Sequence, residues 1–89
     1  MDYRDKTLRG EDVLLDGNTF SGCTFQNCRM IFKALGVPKM SACRFEDCRW
    51  EFDGPAQLTV SFLTALYHDL GPGGRQLVEQ TFENIRRAR

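Results

Sequence analysis

The chain is short and electrically balanced: it has 89 residues, of which 12 are basic and 12 acidic, and 42% are apolar. Balanced charge argues against a mainly electrostatic grip on nucleic acid and against a strongly acidic mimic of DNA, and the apolar share argues against a disordered chain. A single domain of this length buries a small fraction of its surface, so its stability is marginal without a covalent cross-link, a metal or a second subunit.

The first twelve residues are polar and charged, and they either frame the first structural turn or stay loose. Met1–Lys6 has no apolar core of a secretory signal, and no apolar run approaches the roughly 20 residues that span a bilayer. We therefore expect a cytoplasmic protein with no membrane partner. Disulfides are rare in that compartment, so the four cysteines are expected to be thiols or ligands rather than bridges.

An internal repeat occupies the middle of the chain. Phe20–Phe32 aligns with Met40–Phe52 at an offset of 20 residues, and six of the thirteen aligned positions are identical. A finer period of five lies inside the repeat and fits a square coil with one five-residue unit on each of four faces, but neither a helix nor a strand. Its large apolar positions are Leu15, Phe20, Phe25, Met30, Leu35, Met40, Phe45 and Trp50. Its mostly smaller positions, two residues earlier, are Val13, Asn18, Cys23, Cys28, Lys33, Pro38, Cys43 and Cys48.

This pattern resembles that of the pentapeptide-repeat family, in which a Leu or Phe stands at the centre of each unit and a small residue two positions before it. The resemblance covers about residues 13–55 and implies a short right-handed quadrilateral β-helix of about two coils. Lys33 and Pro38 depart from the pattern, and Leu35–Pro38 is expected to form a distorted corner. Some members of the family mimic DNA and act on type II topoisomerases, but the nearly balanced charge through Gly54 does not support that role here.

The outer period also predicts which side chains stack. Coils are separated by the spacing of strands in a sheet, about 4.8 Å. Phe25 should lie on Phe45, with both rings fully buried. Three further stacks are expected: Met30 on Trp50, Cys23 on Cys43 and Cys28 on Cys48. Arg29 over Arg49 would be a like-charge pair unless an acid such as Glu51 intervenes.

The cysteines have the spacing C-x4-C-x14-C-x4-C. Metal ligation is one interpretation of such a set, and small inward-facing core residues are the other. The cysteines coincide with the inward positions of the repeat, which favours the core. The sequence therefore predicts no metal site and no cofactor.

Two helices are predicted after the repeat. Asp53–Pro55 ends the coil, and Pro55 suits the first turn of a helix over about Ala56–Leu70. Gly71–Gly74 is a strong stop signal, and a second helix follows over about Arg75–Arg87. Residues 56–89 would form a helical hairpin, so the predicted fold class is α+β in a single domain over residues 1–89. The terminal arginines, which are Arg86, Arg87 and Arg89, suit the negative end of the helix dipole.

The first predicted helix is apolar on more than one side, and such a helix is usually buried on more than one side. In so short a chain a second subunit is the expected cover, and a two-fold dimer is the commonest arrangement. The interface candidates are Leu66, Tyr67, Leu77, Phe82 and Ile85.

No catalytic residues are predicted. Tyr67, His68 and Asp69 are adjacent on a helix, so their side chains point in different directions, and no nucleophile motif accompanies them. Gly73, Gly74 and Arg75 are candidate ligand-binding residues, because exposed amides at a helix N-terminus and an arginine can hold an anion. A plain turn between helices is the other interpretation of the glycine run.

These features predict a non-enzymatic, homo-oligomeric binding or scaffold protein on a pentapeptide-repeat platform. Its expected partner is itself, as a homodimer or a higher oligomer, and another protein is a further candidate. The alternative function is binding of a small anionic ligand, such as a nucleotide, at an oligomer interface. Nucleic acid is not an expected partner.

Overall fold

The computed structural model describes residues 1–88, and it divides the chain into two compact units that meet between Gln57 and Leu58. The strands of the first unit are β1 (Asp2–Arg4), β2 (Thr7–Arg9), β3 (Asp12–Leu14), β4 (Thr19–Ser21), β5 (Thr24–Gln26), β6 (Arg29–Phe32), β7 (Lys39–Ser41), β8 (Arg44–Glu46) and β9 (Arg49–Phe52). The helices are α1 (Gly54–Asp69), which begins in the first unit, and α2 (Gly71–Arg87). Arg89, at the predicted basic end, lies outside the described residues.

The strands form three parallel sheets of three strands each, in the orders β1-β4-β7, β2-β5-β8 and β3-β6-β9. Each strand thus lies on the strand one coil earlier, which gives a β-helix-like stack of three coils. The predicted register holds: Phe25 pairs with Phe45, and Met30 pairs with Trp50. The nine strands and two helices confirm an α+β fold.

The stack begins earlier than the sequence predicts. β1 starts at Asp2, so the residues before Val13 are a first coil. In this coil the strand centres are Tyr3, Leu8 and Val13, and Val13 pairs with Met30. Val13 is therefore a strand-centre residue and not a member of the smaller series. The first coil does not fit the five-residue alignment because it is offset from the second coil by 17 residues, whereas the second and third coils are offset by 20.

The offset changes because the fourth side of the coil varies in length and contains no strand in residues 1–88. Four residues join β3 to β4, and six residues, Lys33–Pro38, join β6 to β7. Three faces thus carry sheets where four were predicted. The expected distorted corner at Leu35–Pro38 is confirmed, since this part of the chain is irregular.

One carboxylate holds the irregular side in place. Asp16 accepts backbone N–H bonds from Lys33 at 2.7 Å, from Leu35 at 2.6 Å and from Gly36 at 3.3 Å. Desolvation raises the pKa of the Asp16 carboxyl group, but the amide bonds favour its charged form and together hold the pKa below its ordinary value. The fourth side is therefore ordered by a charged side chain from the coil before it.

The core of the first unit lies in the middle coil. Phe20, Phe25 and Met30 are at most 1% exposed, because coils cover them on both sides. The expectation that Phe45 is fully buried is wrong: it is 40% exposed. Phe45 belongs to the last coil, so no further coil lies on its outer side.

Corners between the sheets require a left-handed backbone. Asp5, Asn27 and Asp47 adopt φ near 53°, and these short polar residues tolerate that conformation. Ala42 stands at the corner between β7 and β8 with a φ of 53°, although an alanine gains no compensating side-chain bond there. This corner is therefore a point of local backbone strain.

The helix boundaries differ from those predicted. α1 begins at Gly54, two residues early, and the glycine run belongs to the first turns of α2 instead of a turn between helices. Only Leu70 separates the helices, and Gly71, with a φ of 73°, supplies the left-handed residue that ends α1. Among residues 1–88 neither helix combines the length and apolar content that a bilayer crossing needs.

Candidate interaction surfaces

The predicted ligand residues lie at the start of α2. Gly74 is buried, and a Cβ atom there would collide with the carbonyl oxygen of Leu66 and lie 3.1 Å from the Leu70 Cβ atom. Gly73, by contrast, has nothing within 4 Å of such an atom. Gly74 is thus explained by close packing against α1, a role that was missed because sequence alone does not show which glycine faces a neighbouring backbone.

Arg75 lies on the face of Tyr67, with its guanidinium carbon 5.1 Å from the centre of the ring. It borders an open depression of about 240 Å³. The lining residues are Gly71, Pro72, Arg75, Gln76 and Glu79. Arg75 supplies a positive charge for an anion, but Glu79 places an acid in the same depression and opposes that attraction. The structure therefore brings Arg75 to a surface where a ligand could bind, whereas Gly74 lies buried behind it.

The predicted interface residues fall into two groups. Leu77, Phe82 and Ile85 are 53%, 51% and 63% exposed, which is a large fraction for apolar side chains. Leu66, by contrast, is 8% exposed and offers little surface to a second subunit. Tyr67 is half-buried beside Arg75 and His68. Both helices carry exposed apolar side chains of this unit, because Leu58 and Phe62 of α1 are 71% and 62% exposed as well.

The cysteines occupy core positions of the coil, as predicted, and all four are free thiols. Each thiol donates to the carbonyl of a strand-centre residue one coil earlier: Cys28 to Leu8 at 3.3 Å, for example, and Cys48 to Phe25 at 3.3 Å. Cys23 and Cys28 are buried, whereas Cys43 and Cys48 are half-buried in the last coil. In residues 1–88 no three His, Cys, Asp or Glu side chains are grouped to hold a metal ion.

A ladder of charges runs along the sheet β3-β6-β9. Arg29 donates to both carboxylate oxygens of Asp12, at 3.1 and 2.8 Å, and its Nη1 atom lies 3.5 Å from Glu51 Oε2. Hydrogen bonding to Asp12 and the charges of both acids raise the pKa of Arg29. The expected role of Glu51 is confirmed, since it offsets the stacking of Arg29 on Arg49.

The last coil presents an apolar surface at a place where Phe45 was expected to be fully buried. Phe45, Trp50 and Phe52 are 40%, 55% and 55% exposed, although the residues under Phe45 and Trp50 are completely buried. The only signal in the sequence is that the repeat stops at Phe52, just before Gly54-Pro55. A repeat that stops leaves its final layer without a covering layer.

Comparison with known proteins gives no family assignment. No protein-family model matches the chain, and neither the curated proteins nor the solved structures include a significant match.

Proposed function

We propose that this chain is a non-enzymatic binding or scaffold protein that self-associates. The observation that carries the proposal is the number of large apolar side chains left exposed by a chain of 89 residues, among them Phe82 and Ile85 of α2 and Trp50 of the last coil. Extensive exposed apolar surface marks interaction sites in folded proteins. A second copy would supply the burial that so short a chain cannot provide for itself.

The platform is proposed to be a short right-handed coil of the pentapeptide-repeat type. The five-residue spacing of the strand-centre residues from Phe20 onward supports this, as do the parallel pairs that join β4–β6 to β7–β9. The right hand is supported by the strong general preference for right-handed connections between parallel strands of one sheet.

The absence of enzymatic activity is inferred from the placement of the reactive side chains. His68 is exposed on α1, and its ring packs edge-on against Tyr67 at 5.2 Å. The thiols of Cys23 and Cys28 face the core and bond to backbone carbonyls. Neither arrangement joins a nucleophile to an oriented base, which covalent catalysis needs. The free thiols also support the proposed cytoplasmic location.

Light scattering on the purified protein at low micromolar concentration tests the proposal. We expect a dimer or a higher oligomer. Phe82→Asp tests whether α2 contributes to the contact, because a charge there would have to be desolvated on association. Gln76→Asp is the matched control, since it adds the same charge to an exposed position of the same helix. A monodisperse wild-type monomer would contradict the proposal.

Binding of a small anion is the second candidate function, supported by the position of Arg75 at the open depression. Thermal unfolding with inorganic phosphate and with a nucleotide tests it. Ligand-dependent stabilisation that disappears in Arg75→Gln but persists in Arg86→Gln would support the candidate. No stabilisation at millimolar ligand would exclude it.

A further inference from the structure

The open side of the last coil, defined here as the outer edge of β7, β8 and β9, has the properties of an interface. Each of these strands is the final strand of its sheet, so each has a strand neighbour on one side only. The backbone groups on the free side can pair with another chain. Phe45 and Trp50 are exposed beside them, whereas the residues beneath these two, Phe25 and Met30, are 0% exposed.

The charges on these strands follow one order. Each strand places a basic residue before its central apolar residue: Lys39 before Met40, Arg44 before Phe45 and Arg49 before Trp50. In β8 and β9 an acid follows the centre, and in β7 a serine does. In an antiparallel pair the first residue of one strand lies opposite the last residue of the other, so a base meets an acid or a serine and no two like charges meet.

We infer that the open side of the last coil docks on the same side of a second copy, about a two-fold axis perpendicular to the stack. Such an axis makes facing strands antiparallel. With the axis through the centre of β8, that strand pairs with its own copy, and β7 pairs with β9 of the second copy. Arg44 then faces Glu46 of the second copy, and Lys39 faces Glu51. All three edge strands find strand partners in this arrangement.

Head-to-tail stacking on the first coil is the competing arrangement. It would place the aromatic side of one copy on a first coil whose strand-centre residues are already largely covered, since Val13 is 7% exposed and Tyr3 and Leu8 are half-buried, although Met1 at that end is 82% exposed. It would also repeat without closing and leave the aromatic side exposed at one end of every assembly. The two-fold arrangement covers the aromatic side of both copies at once.

The inference rests on the proposed self-association, and charge reversal tests it with light scattering across a concentration series. We expect a wild-type dimer. Arg44→Glu should raise its dissociation constant by about tenfold or more, because two acid pairs replace two base–acid pairs. The double variant R44E/E46R should restore the dimer. Arg9→Glu, at an exposed position of the first coil, is the matched control and should leave the dimer unchanged.

Circular dichroism establishes whether each variant is folded. If Arg44→Glu does not fold, Lys39→Glu repeats the test at the second predicted pair. A wild-type dimer that resists both reversals but dissociates with Phe82→Asp would overturn the inference and leave self-association standing. A monomeric wild type would overturn both. Assemblies that keep growing with concentration would indicate head-to-tail stacking and overturn the two-fold arrangement.

Discussion

Phe25 and Phe45 stack face to face, with ring centres 5.3 Å apart and planes inclined by 6°, but only Phe25 is covered on both sides. A phenylalanine in the middle coil and one in the last coil therefore contribute very differently to the free energy of unfolding. Phe25→Ala should lower the free energy of unfolding by about 3–5 kcal/mol, because it leaves an enclosed cavity. Phe45→Ala should cost roughly half as much in the monomeric state, since water already reaches the site. Urea unfolding of both variants measures the difference, and equal losses would show that the two sites are equally enclosed.

The two glycines at the start of α2 provide a second comparison. Gly74→Ala should destabilise the helical unit, because the new methyl group meets the Leu66 carbonyl. Gly73→Ala meets nothing within 4 Å and should stabilise the helix by up to about 1 kcal/mol through its better helix propensity. Thermal unfolding followed by the circular dichroism signal of the helices distinguishes the two. Because the same substitution is expected to have opposite effects at the two positions, the packing of Gly74 is directly testable.

The left-handed corner at Ala42 predicts a stabilising substitution. Ala42→Gly should raise the free energy of unfolding by about 1 kcal/mol, because glycine adopts a positive φ without a steric penalty. The gain is partly offset by the greater freedom of glycine in the unfolded chain. Ala65→Gly in α1 is the control, and there the same change should destabilise the protein by about 1 kcal/mol. Chemical denaturation of the two variants checks both signs.

The amide bonds to Asp16 predict a dependence of stability on pH. The pKa of this group lies below its ordinary value of 3.8 in the folded protein, so the folded state binds a proton less readily than the unfolded state. The stabilisation that the charged Asp16 carboxylate provides is complete at pH values above its ordinary pKa. It is lost as the pH falls through the lower pKa of the folded state. Asp16→Asn should therefore flatten the fall in stability below pH about 4. Melting temperatures from about pH 2 to pH 7 test this, with Asp2→Asn, an exposed acid of the first coil, as the control.

The sequence specifies the middle of this fold better than its ends. Phe20, Phe25 and Met30 follow a strict period, and the pairs they form with the next coil could be predicted because both coils share one phase. Tyr3 and Leu8 could not be placed, because the shorter fourth side moves them out of phase. The packing of Gly74 depends on a backbone contact between α1 and α2, and a glycine at a helix start is indistinguishable in sequence from one in a turn.

The candidate surfaces show the same division. Three of the predicted interface residues, Leu77, Phe82 and Ile85, are exposed on α2. Leu66 is buried, because the sequence does not show which side of a helix its neighbour covers. The exposure of Phe45 was not predicted, because the pattern identifies this residue as inward-facing but does not say whether anything covers it. Inward direction and burial are the same property in the middle of a stack and different properties at its end.

The variable fourth side also determines where this chain can tolerate a change in length. One coil closes it with four residues and the next with six residues held around Asp16, and both return the chain to the first sheet in register. An insertion or deletion between Lys33 and Lys39 can therefore be absorbed locally, whereas a single residue added between β4 and β5 would reverse the inward and outward direction of every later side chain in that coil. A whole extra coil spliced in at the fourth side would preserve this phase, so the stack can lengthen at this side without redesign of the other three.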